Sequence, residues 1–122
     1  MYRSMMQVFV KGSETALPFY QKAFDAKLLC RYPETGGPIM HAELEIDGHL
    51  LAVSEQMQET SVVGNTMMFC LHFGPGGEEQ VRRAHEVLGE DARECSPPEP
   101  CDYSPLQTVI IDKFGVRWCI FA

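Results

Sequence analysis

The stretch Ile39-Met40-His41-Ala42-Glu43-Leu44-Glu45-Ile46-Asp47-Gly48-His49-Leu50-Leu51-Ala52-Val53-Ser54-Glu55 reads as two strands, Ile39 to Ile46 and His49 to Glu55, joined by Asp47-Gly48. Asp-Gly between apolar-rich runs is a strong hairpin signal, because a two-residue type I′ turn needs positive φ at both positions. The chain ends on a second pair of runs, Leu106 to Asp112 and Val116 to Phe121, joined by Asp112-Lys113-Phe114-Gly115. Ile46-Asp47-Gly48 thus matches Ile111-Asp112 with Gly115, and each half of the chain closes on the same device.

Working outward, Met5 to Lys11 reads as a buried strand. Ser13 then serves as a helix N-cap with Glu14 in the first turn. Ala16, Leu17, Tyr20, Ala23 and Phe24 recur at helical spacing, and Pro18 is tolerable because it lies near the helix start. Lys27 to Tyr32 is a strand and Pro33 to Pro38 a turn. Gln56 to Gly64 is polar and aperiodic, a linker. Asn65 to Phe73 reads as a strand, Gly74-Pro75-Gly76-Gly77 breaks it, and Glu78 to Leu88 is helical. A weaker strand falls near Asp91 to Cys95, and Ser96 to Pro105, with four prolines, reads as a loop. The order strand, helix, strand, strand, strand occurs twice, with Met5 and Met68 starting equivalent strands. The expectation is one α+β domain over residues 1–122, with half-modules at about 1–58 and 62–122. Neither half covers its sheet alone, so the halves pack together or on another chain.

The 122 residues suit one domain. At 45% hydrophobic and 22% charged, the composition is that of a globular chain. A net charge of -7 argues against nucleic acid or an anionic membrane as partner, since no cationic excess exists to displace counterions. No apolar run reaches the roughly 20 residues of a membrane span. The N-terminal segment lacks a signal-peptide hydrophobic stretch, so a cytoplasmic location is expected. Five irregularly spaced cysteines fit reduced thiols better than a disulfide framework.

The segment Ala16-Leu17-Pro18-Phe19-Tyr20-Gln21-Lys22-Ala23-Phe24-Asp25-Ala26 resembles the first-helix signature of the vicinal oxygen chelate superfamily, the glyoxalase/bleomycin-resistance/dioxygenase fold. Asp112-Lys113-Phe114-Gly115-Val116-Arg117-Trp118 resembles the last hairpin of its PhnB-like branch. Asp25 replaces the usual glycine, which a left-handed Asp accommodates. The resemblance implies paired βαβββ modules forming a cupped mixed sheet, a homodimer, and a small-molecule pocket in the concavity. It also implies a divalent metal held by four side chains, normally His, Glu or Gln. Those positions fall at Met5, Ala52, Met68 and Cys119, and the internal repeat pairs Ala52 with Cys119 in the same way. Two thioethers, a methyl and a thiol do not hold a hard or borderline cation, so no family metal and no cofactor is expected. A soft Cu(I) ion is the exception that Met and Cys would suit, with apolar packing the simpler account of the methionines.

Because side chains alternate along a strand, these positions also mark which parity faces the cup. The opposite parity carries Met6, Val8, Val10, Leu51, Val53, Met67, Phe69, Leu71, Phe73, Val116, Trp118 and Ile120, an apolar face for burial under helices. The cup parity carries Gln7, Phe9, Ser54, Cys70, His72, Arg117 and Cys119, and these are the candidate ligand-binding residues. Arg117 offers a planar fork to a carboxylate or phosphonate, or else pairs with Glu43 or Glu55. His72 offers acid–base chemistry, or is simply a solvated residue near a strand end. Cys70 and Cys119 are nucleophiles if a cation lowers a thiol pKa, and inert fillers otherwise. No catalytic residue is assigned.

His41, Glu43 and Glu45 share a strand face and, with His72, offer a second metal cluster; the plainer reading is a solvated face. Cys95 and Cys101 lack the second close pair of a structural zinc site. Gly74-Pro75-Gly76-Gly77 lacks the Lys-Ser/Thr of a phosphate loop and reads as a turn. The expected function is metal-independent small-molecule binding by a homodimer. The alternative is a metal-dependent lyase, dioxygenase or resistance transferase of the same superfamily.

Overall fold

The computed structural model describes residues 1–122. The chain divides into two compact units, Met1–Val62 and Val63–Ala122. In the first, β1 (Met6–Val10) leads into α1 (Ser13–Phe24), followed by β2 (Lys27–Tyr32), β3 (His41–Ile46) and β4 (His49–Glu55). The strand order is β1-β4-β3-β2, with β1 parallel to β4 and the remaining pairs antiparallel. Asp47 at φ 46 and Gly48 at φ 84 make the β3–β4 hairpin the primed turn that the sequence predicts.

The second unit repeats this plan. β5 (Phe69–His72) and α2 (Glu78–Leu88) are followed by β6 (Glu94–Cys95), β7 (Glu99–Cys101), β8 (Ser104–Ile111) and β9 (Arg117–Phe121). The order is β5-β9-β8-β6, with β7 also paired to β8 and β5 parallel to β9. The parallel pair between the first strand and the last is thus common to both units, as is one helix on one face of each sheet. Val8, Val10, Ala42, Leu44, Leu51 and Val53 are buried in the first unit with Ala16, Leu17, Tyr20 and Phe24 of α1. Trp118, Ile110 and Ile120 are buried in the second with Val81, Ala84 and Leu88 of α2. No helix is long and apolar enough to cross a membrane.

Four expectations need correction. The strand expected over Asn65 to Phe73 is confined to Phe69–His72, because Phe69 already pairs with Trp118, the second residue of β9. Residues upstream would face the Gly115 turn and find no ladder, so Met67, expected on the covered face, is 76% exposed. The presumed Ser96 to Pro105 loop contains β7, whose register shifts between Glu99 and Cys101. Pro100 sits in that irregularity, where its missing N–H interrupts no ladder bond. The N-cap is Gly12 at φ 90, not Ser13, whose hydroxyl is committed elsewhere. Pro18 lies in the second helical turn rather than the first, and α1 continues past it to Phe24. Asp25 does end α1 in the left-handed conformation, at φ 49 and ψ 45, with its N–H on the Gln21 carbonyl.

Candidate functional site

Strand register decides which side chains share the face of each sheet that no helix covers. In the first unit Gln7 stands opposite Ala52, Phe9 opposite Ser54, and Glu43 also opposite Ala52. Gln7 Nε2 donates to Ser54 Oγ at 3.0 Å, which satisfies a buried hydroxyl, and Phe9 beside them is 57% exposed. An uncovered phenyl ring next to a fixed amide–hydroxyl pair offers both apolar area and a polar handle.

Glu43 departs from the sequence reading. It is no solvated residue but is 5% exposed, at the centre of a hydrogen-bonded group. Arg3 grips it with two guanidinium nitrogens, Nη1 on Oε1 at 2.5 Å and Nη2 on Oε2 at 3.0 Å. His41 Nε2 meets Oε2 at 2.8 Å. Hydrogen bonds from Arg3 and then His41 hold the Glu43 carboxyl below the usual carboxylate range, against the opposing effect of burial. Glu55, the other acid considered for Arg117, instead closes the start of α1. Its carboxylate accepts the Ser13 N–H at 2.9 Å, the Ser13 hydroxyl at 2.8 Å and the Gly12 N–H at 3.2 Å. Arg117 therefore has neither acid, and no carboxylate within ion-pairing distance.

In the second unit Cys70 lies directly opposite Cys119 and His72 opposite Phe121. The His72 ring stacks on Phe121 at 4.4 Å, and Tyr103 meets Phe121 edge-on at 5.3 Å. Gln107 Nε2 donates to Cys119 Sγ at 3.2 Å and also to Tyr103 Oη. Cys119 is buried and Cys70 exposed. Burial, and after it the neighbouring Cys119, pushes the Cys70 thiol up, the opposite of an activated nucleophile. Arg117 shares the parity of Cys119 and Phe121 on β9. Alternation along β8 and β9 could have pointed to Gln107 and Phe121, which the sequence reading passed over. Tyr103 lay in a presumed loop, and nothing local singled out Arg3.

Met5, Ala52, Met68 and Cys119, the positions at which the resemblance leads one to expect metal ligands, offer two thioethers, a methyl and a thiol, a donor set that does not fit a hard or borderline divalent ion. The alternative cluster of His41, Glu43 and Glu45 with His72 is not assembled: Glu43 is taken by Arg3, and His72 stacks in the second unit. No three His, Cys, Asp or Glu side chains gather anywhere in a way that could hold an ion. Cys95 faces His85 of α2 at 3.6 Å, while Cys101 lies on β7, so the two do not form a pair.

Among solved structures, the PhnB protein of Bacillus cereus superposes with a TM-score of 0.75 at 21% identity, covering 98% of each chain. PA1353 of Pseudomonas aeruginosa gives 0.74 at 17% identity over 99% of this chain and 97% of that one. The fosfomycin resistance protein FosX of Mesorhizobium loti gives 0.69 at 14% identity over 98% and 89%. No curated protein matches in sequence. The sequence model of one family matches residues 4–120, nearly the full length. With its duplicated sheet-and-helix plan, the chain belongs to the Glyoxalase/Bleomycin resistance protein/Dioxygenase superfamily.

Proposed function

We propose that this chain is a cytoplasmic homodimer that binds a small organic molecule on the uncovered faces of its sheets, without a resident metal. What supports the reading is that Met5, Ala52, Met68 and Cys119, where the resemblance places the family's metal ligands, carry no oxygen or imidazole donor, on a face that keeps other polar groups. The likeness to a fosfomycin resistance protein therefore transfers as scaffold and not as metal chemistry. Gln7, Phe9 and Ser54 supply the contacts in the first unit; Cys70, His72, Arg117 and Cys119 supply them in the second. Arg117, with no acidic partner, is the group suited to a carboxylate or phosphonate. His72 is held by stacking on Phe121, which leaves the edge of its ring to meet a ligand. Exposed Phe9, Tyr32 and Met40 support association with a second copy.

A thermal-shift screen of small carboxylates, phosphonates and apolar drugs tests the reading. A ligand at 100 times its Kd adds about 2.7 kcal/mol, a rise of roughly 10 °C in Tm for a chain of this size. Arg117→Ala and His72→Ala should each reduce the shift given by a hit; shifts that survive both substitutions discard the site. Sedimentation at micromolar concentration should return twice the chain mass, and a monomer removes the dimer.

A further inference from the structure

The five cysteines include only one pair in direct strand register, Cys70 on β5 and Cys119 on β9. Neighbouring strands run roughly 4.7–4.9 Å apart, which lies inside the Cα separation of about 4.4–6.8 Å that a disulfide bridges. Directly opposite residues on paired strands project to the same face, so the two side chains are neighbours across the parallel pair. Cys95 by contrast stands opposite the buried Ile110 and faces α2. Cys101 stands opposite Ser104, and Cys30 belongs to the other unit.

We propose that Cys70 and Cys119 form a dithiol that peroxide oxidises to a disulfide tying β5 to β9, reversibly on reduction. The unequal exposure of the two thiols assigns their roles. Cys70 is open to a small oxidant, whereas Cys119 is 5% exposed and its sulfur is held by the Gln107 amide at 3.2 Å. With its thiol pushed up, Cys70 reacts slowly, through its minor thiolate fraction. The thiolate sulfur attacks one oxygen of hydrogen peroxide, the O–O bond breaks, and the released hydroxide takes up the thiol proton as water. This yields a sulfenic acid at Cys70. The Cys119 sulfur then attacks the Cys70 sulfur, the S–O bond breaks, and the hydroxide leaves as a second water with the Cys119 proton. Two thiols lose two electrons in all, and one peroxide becomes two waters. A dithiol reductant reverses the change by exchange. The bond would remove both thiols from the face that also carries His72, Gln107 and Arg117.

The chain's Lys and Arg positions make the test unambiguous. After trypsin, Cys70 falls in the peptide 32–82 and Cys119 in 118–122, while Cys30 falls in 28–31 and Cys95 and Cys101 share 94–113. The folded protein is treated with hydrogen peroxide, blocked with iodoacetamide and mapped by mass spectrometry without reduction. The expected result is a loss of two thiols per chain, with 118–122 linked to 32–82 and released by dithiothreitol. Cys70→Ser, at an exposed position, should abolish the paired loss. Thiol loss without that link, a link between other cysteines, Cys70 advancing to sulfinic acid alone, or no loss at all would each overturn the proposal.

Discussion

The indole Nε1–H of Trp118 donates to Asp112 Oδ2 at 2.9 Å, joining the two ends of the last hairpin through a carboxylate with no solvent exposure. The other oxygen of Asp112 accepts the N–H groups of Phe114 at 2.9 Å and Val116 at 3.1 Å. One side chain thus shapes the turn and satisfies the buried indole. Asp112→Ala leaves the indole donor without a partner and should cost about 2–4 kcal/mol, read as a lower urea midpoint. Asp112→Asn keeps an acceptor and should recover part of that loss. A loss under about 0.5 kcal/mol for the alanine variant, the usual range for surface changes, would show that the hairpin does not depend on this carboxylate.

The two hairpin glycines should differ in their tolerance of a methyl group, although each occupies the same place in its half. Gly48 has φ +84 and open space where a Cβ would stand. Gly115 has φ +89, but a Cβ there would meet Val63 Cγ2 at 2.8 Å and an Arg93 nitrogen at 3.1 Å. Gly48→Ala should cost only the strain of the left-handed backbone, about 1–2 kcal/mol. Gly115→Ala adds crowding to the same strain and should cost about 1 kcal/mol more. Equal losses in chemical denaturation would mean that the Val63 and Arg93 side chains yield freely.

Stability should fall on acidification, with Glu43 and Glu55 as two identifiable sources. Arg3 and His41 hold the Glu43 carboxyl low. At Glu55 burial pushes upward, yet the Ser13 amide and hydroxyl and the Gly12 amide together leave it lowered as well. A carboxyl with a depressed folded pKa contributes fully above its unfolded value of about 4.3 and loses that contribution as pH drops through the folded value. In that window the unfolded chain binds more protons, so stability rises with pH. Glu43→Gln should therefore lower the urea midpoint near neutrality and flatten its dependence below about pH 5. An unchanged slope would show that Glu43 titrates alike in both states.

The Asp47-Gly48 hairpin, the Glu78–Leu88 helix and the left-handed Asp25 were legible because local chemistry alone specifies them. The shared parity of Cys70 and Cys119 was legible too, since alternation fixes a face once one position is placed. The failures occurred where a long-range partner overrides local preference. Ser13 looks like an N-cap, but its hydroxyl donates to Glu55 and accepts the Ile39 N–H at 2.8 Å, over a separation of 26 residues. Glu43 alternates with apolar residues as a solvated acid would, and its burial is explained by Arg3, 40 positions away, together with His41. Asn65 to Met68 has strand composition but no strand to pair with. Pro100 argued for a loop where an irregular ladder accommodates it.

If the proposed metal-independent reading holds, hard divalent ions should leave this protein unaffected. Ligand stabilisation follows RT ln(1 + [L]/Kd), so an ion whose Kd far exceeds its concentration adds nothing. Thioether and methyl side chains give Mn(II) or Mg(II) no oxygen or imidazole donor at Met5, Ala52 and Met68. At Cys119 the sulfur already accepts the Gln107 amide. Millimolar Mn(II) or Mg(II) should shift Tm by less than about 1 °C, whereas a site with a micromolar Kd would add about 4.1 kcal/mol. Elemental analysis of protein purified without chelator should accordingly find these ions far below one per chain. A stoichiometric ion, or a large stabilisation by Mn(II), would restore the metal-dependent reading and discard the metal-independent one.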